Sequence, residues 1–164
     1  MEIKKFVPSP CPMVPEELNG KINFTSNCVL PDRDWELFNI VLEKLVEQMK
    51  EEEFVFSKVG KVTVVFSEKT DFGLSFESSE RATYTKLIVY PVIDWKERDL
   101  NENVKIMSFT EELCHHFWRV DDEQQVNYPV YRILNRILEG VNFEEKISDL
   151  MRREIEEPKD FAHF

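Results

Sequence analysis

Glycine is scarce in this chain. There are four in 164 residues, and they form no G-x-x-x-x-G-K or G-x-G-x-x-G arrangement. That excludes the loops whose backbone cradles a phosphate. Positive charge is also in short supply: Lys and Arg number 21 against 32 Asp and Glu, a formal net charge of −11. A nucleic acid needs a basic footprint, so none is expected as a partner. Anionic membrane surfaces are disfavoured for the same reason. No apolar run approaches the roughly 18 residues of a spanning helix. The cysteines, Cys11, Cys28 and Cys114, are odd in number and have no metal-like spacing, which suits a reducing compartment. The segment MEIKKFVPSPCPMVPEEL has two lysines but no apolar stretch behind them, and four prolines interrupt it. It does not read as a signal peptide, and the cytoplasm is the expected location.

What is present is enough for a core. The apolar fraction is 42% with 13 phenylalanines, and the length suits one domain without disulfide staples. Residues 1–31 read as an irregular, Pro-rich arm, and residues 32–164 as a single domain. Asp32 or Asp34 is placed to cap a helix whose apolar stripe is Trp35, Phe38, Leu42, Leu45 and Met49, closed by Glu51–Glu53. Alternation through Val62, Val64 and Phe66 predicts a strand, and Phe72, Leu74 and Phe76 predict a second. A third runs from Tyr84 to Tyr90, stopped by Pro91. The period then changes. A helix is expected from about Asn103 to Trp118, and another through Val130, Ile133, Leu134, Ile137 and Leu138 to Gly140. Pro129 either kinks that helix or sits in its first turn, with Asn127 or Tyr128 outside. A last helix is expected from Asn142, three residues before Glu145. The order predicts an α+β fold, one sheet layer with helices on one side.

The chemistry concentrates in SFTEELCHHFWRVDDE, Ser108 to Glu123, which holds two of the three histidines. Residues four apart on a helix differ by about 40° around the axis and about 6 Å along it, so both can reach one ion. Glu111, Glu112 and His115 spell E-E-x-x-H. Set against the zinc-peptidase pattern H-E-x-x-H, His115 falls on the second ligand and Glu112 on the general base. Glu111 stands where the first histidine belongs.

At these residues the chain resembles the zincin metallopeptidase superfamily, in its minimal intracellular form, over roughly residues 34–140. The resemblance implies a zincin-like fold: an N-terminal helix, a small and mostly antiparallel sheet, the motif helix and further C-terminal helices. It also implies a metal-dependent hydrolase, a peptidase, with Glu112 activating water at a Glu111/His115 site. Asp121, six residues after His115, has the spacing of a third ligand in some zincins, with Asp122 and Glu123 as near alternatives. Those zincins place glycine at the turn position, here Trp118, where a bulky residue resists positive φ. Carboxylates can ligate zinc, but a set this rich in oxygen admits manganese as well. A peptide substrate or partner would lie along the Thr85–Pro91 strand as an added strand.

Other roles compete for the same residues. Ser108 and Glu111 have capping-box spacing, which would give Glu111 a structural task. Asp121 with Gln124, or Asp122 with Gln125, can cap the following helix. Glu112 and His115 also make the E-x-x-H of di-iron bundles, but no second copy exists. Cys114 falls on an apolar stripe with Leu113 and Phe117 and reads as core. His163 reads as a tail residue. The alternative to a hydrolase is a catalytically inactive zincin-like module that binds a partner through the same surface.

Overall fold

The computed structural model describes residues 12–68 and 86–138. The strand expected over Phe72–Phe76, the helix from Asn142, and Cys11, Gly140 and His163 lie outside them.

The chain enters the fold earlier than its prolines suggest. After a short turn of 3-10 helix at Glu16–Leu18, Gly20 takes a left-handed φ of 70°, and strand β1 runs from Ile22 to Ser26. Helix α1, Asp32–Glu51, follows, then β2, Val62–Ser67, and β3, Lys86–Pro91. A six-residue helix α2, Val92–Glu97, begins directly after Pro91. The two long helices that complete the described fold are α3, Glu102–Trp118, and α4, Glu123–Ile137. Residues 22–26 are thus part of the sheet, not of an irregular arm. The strand INFTS offers only Ile22 and Phe24 as large apolar residues and buries a serine at its end, so its pattern is faint.

The sheet has the order β1-β2-β3. β1 runs parallel to β2, with Ile22 opposite Val62, and β2 runs parallel to β3, with Val62 opposite Lys86. The fold is α+β as expected, but the mostly antiparallel sheet is corrected. Because β1 precedes it, α1 is not the leading element that the zincin resemblance implies. It is instead the crossover that carries the chain from the end of β1 back to the start of β2, the connection a parallel pair requires. The buried Val65 between Val64 and Phe66 fits strands covered on both faces.

α1 forms for the reasons its stripe predicts: Trp35, Phe38, Leu42, Leu45 and Met49 are all buried. Its start differs. Pro31 is the residue before the helix and no side chain caps it. Asp34 is buried instead against Lys105 of α3, with Nζ 3.0 Å from Oδ1. The core joins these layers through aromatic rings. Phe38 of α1 stacks on Phe109 of α3 at 4.3 Å between centroids, and on Phe66 of β2 at 5.4 Å. The Tyr90 hydroxyl donates to the Phe109 carbonyl at 3.0 Å, which fixes α3 against the end of β3.

Two helix starts decide where the chemistry falls. α3 is capped by Asn101, whose Oδ1 accepts from Val104 N–H at 3.1 Å. Ser108 therefore lies in mid-helix, and the Ser108–Glu111 capping box does not form. α4 is capped by Asp122, whose Oδ1 accepts from the N–H of Gln124 and of Gln125, both at 2.9 Å. Asn127 and Tyr128 lie inside this helix, and Pro129 is an interior residue. Pro129 takes a buried position, and Gln125, whose carbonyl loses its helical donor, is exposed. No described helix is long and apolar enough to cross a membrane.

Candidate metal centre

Glu111 and His115 sit one turn apart on α3, and Glu123 is the first residue of α4. One ligand atom from each lies within 4.8 Å of the other two. Between the helices, Trp118 is still helical and Arg119 takes the left-handed conformation, φ 56° and ψ 44°. The turn is therefore one residue later than the zincin spacing implies. It brings the start of α4 back over the last turn of α3.

The centre has a closed side and an open one. The His115 side chain is 11% exposed and that of Glu123 is 72% exposed. His115 Nδ1 lies 2.6 Å from the Val120 carbonyl, and its Nε2 lies 3.4 Å from Glu123 Oε2. Burial and then the neighbouring Glu123 charge push the Glu111 carboxyl above its ordinary pKa, while His115 opposes them. Two carboxylates this close repel by between about 1 and 4 kcal/mol, depending on how well solvent screens them. A cation between them removes that penalty. The donors, two carboxylate oxygens and one imidazole nitrogen, are those of a first-row divalent metal.

Not every expected site residue joins them. Asp121 is exposed in the link and is outside the group of three. The third group is Glu123, because α4 begins there and turns its side chain toward His115. Glu112 is also outside the group and exposed. It lies round the helix toward β3, where its charge adds to burial in raising the pKa of Tyr90. Cys114 is fully buried in the core. Burial, and after it the Glu111 charge, hold its thiol protonated.

His116 has a separate task that its sequence position did not reveal. Its Nε2–H donates to the Gly60 carbonyl at 3.2 Å, tying α3 to the approach to β2. A Cβ at position 60 would stand 3.3 Å from the ring, so a larger residue there would make the ring shift by a few tenths of an ångström. Burial lowers the pKa of His116, and the charge of Lys86 adds to the effect. Lys86 opens β3 and Tyr90 is near its end, while their neighbours on α3 are His116 and Phe109. The motif helix therefore runs alongside β3 in the opposite direction.

Compared with protein-family models, curated proteins and solved structures, the chain finds no match in any of the three.

Proposed function

We propose that this protein binds a divalent metal ion through Glu111, His115 and Glu123, with manganese or zinc as the ions its donors suit. The observation that carries this is the convergence of three ligand atoms within 4.8 Å from two helices. A half-buried carboxylate, a carbonyl-held imidazole and an exposed carboxylate make a site with three protein ligands and room for solvent.

The open side also supports a hydrolytic reading. Three protein ligands plus a water is the arrangement of catalytic rather than structural zinc. In that reading a metal held by Glu111, His115 and Glu123 would supply a Lewis acid for a carbonyl, and Glu112, next to Glu111 on the exposed flank of α3, would take the proton of a water. The resemblance to zincins supports this assignment of roles at the motif, though the parallel sheet is not the one it implied. A peptide lying along β3 would be the substrate.

Calorimetric titration with Mn²⁺ and Zn²⁺ tests the first reading. Glu123→Gln keeps the shape and removes a charge, so affinity should fall at least about tenfold. Equal affinity in wild type and variant would remove the centre. Metal-dependent cleavage of a peptide library that Glu112→Gln abolishes would establish the hydrolase. Binding without cleavage would identify a non-catalytic metal-binding module.

A further inference from the structure

We infer that Arg119 is a positioning residue, whose left-handed backbone sets the Val120 carbonyl so that His115 presents an unprotonated Nε2 to the metal centre. The inference rests on the metal-binding reading above. A neutral imidazole carries its proton on one ring nitrogen, and only the other can ligate. A carbonyl can only accept, so the Val120 oxygen, 2.6 Å from Nδ1, holds the proton there. The lone pair is then on Nε2, the nitrogen that faces Glu123.

One pair of backbone angles places that carbonyl. Arg119 at φ 56° and ψ 44° folds the chain back, so the Val120 N–H donates to the His115 carbonyl at 3.3 Å. Val120 thereby holds both the backbone and the ring of the same residue. For a residue other than glycine the left-handed conformation is unfavourable by about 1–2 kcal/mol. Helices commonly end in this conformation with glycine in the left-handed position. Here an arginine holds it, with its guanidinium 3.5 Å from the Lys58 carbonyl. Hydrogen bonds to the far nitrogen of a ligating histidine typically change metal affinity by about 10–100-fold.

The test reads the ring directly. Nitrogen–proton correlation NMR of the metal-free protein, at a pH where His115 is neutral, reports which nitrogen carries the proton. Wild type and Arg119→Gly should both show Nδ1–H, since glycine takes positive φ freely. Arg119→Val, β-branched and resistant to positive φ, should revert to the Nε2–H form that a free imidazole favours in water. Its Mn²⁺ affinity by calorimetry should fall about tenfold or more, and Arg119→Gly should retain it. A general loss of stability would not move the proton between nitrogens. An Nε2–H wild type that still binds Mn²⁺ overturns this inference alone. A wild type with Nδ1–H that binds no metal overturns the proposed function and the purpose assigned to Arg119. If Arg119→Val keeps Nδ1–H and full affinity, Arg119 has no positioning role. Should that variant not fold, the wild-type ring still decides, because Nε2–H there excludes the arrangement.

Discussion

At the scale of single residues, the candidate metal centre is a matter of three donors and their charges. Glu111 is the donor whose replacement is most informative. Glu111→His puts two imidazoles one turn apart beside Glu123 and removes one of two repelling carboxylates. Zinc affinity should rise, by roughly tenfold or more, because imidazole suits zinc better than a second carboxylate oxygen does. The gain should vanish in Glu111→His/His115→Ala, and calorimetry on the three proteins checks it. A variant no tighter than the double mutant would mean that positions 111 and 115 do not converge on an ion. The Glu111–His115 pair was legible in the sequence because i, i+4 spacing on a helix is a local geometric fact. Glu123 was legible only as an alternative to Asp121, because which acid comes round to His115 depends on the turn at Arg119. A glycine at position 119 would have marked the turn, whereas arginine in the left-handed region gives no such mark.

At the scale of elements, caps and crossovers decide the arrangement. Asp122 satisfies two N–H groups at the start of α4, the turn that carries Glu123. Asp122→Ala should cost about 1 kcal/mol of stability. It should also weaken metal binding, since Glu123 then hangs on a frayed first turn. Chemical denaturation together with Mn²⁺ titration measures both. Lost stability with unchanged affinity would show that the cap does not hold the ligand. Helices α1, α3 and α4 were readable from apolar periodicity, as the full burial of Phe38, Leu42, Leu113 and Ile133 attests. β1 was not readable: its alternation rests on Ile22 and Phe24 alone, and the strand ends on a buried Ser26, whose hydroxyl donates to the Cys28 carbonyl at 2.6 Å, where an apolar residue would have extended the pattern. The antiparallel sheet was what the zincin resemblance implied, and both pairings, β1 with β2 and β2 with β3, are parallel instead.

At the scale of the whole molecule, two ion pairs join α1 to α3, and burial separates their worth. Arg33 and Glu102 are about half exposed, and such pairs contribute well under about 1 kcal/mol. Asp34 and Lys105 have side chains 5% and 17% exposed. Lys105→Met leaves the Asp34 carboxylate buried without its partner and should lose roughly 3 kcal/mol. Arg33→Ala should lose less than about 1 kcal/mol. Thermal and urea denaturation of the two variants gives the comparison, and equal losses would mean that Asp34 finds water or another donor.

The parallel order of the sheet also governs how the molecule can assemble. Ser26 meets Phe66 across a separation of forty residues, with all of α1 in between. No hairpin exists between β1 and β2 to start the pairing. Closing a loop of that length costs about 3 kcal/mol in chain entropy before any strand bond forms. As the chain is synthesised, β1 emerges first and must wait, unpaired, until β2 has followed α1. Helix α1 is then the natural early structure, and the strands register against it afterwards. A chain of this topology gathers speed from its helices and is delayed by the wait of β1 for its distant partner.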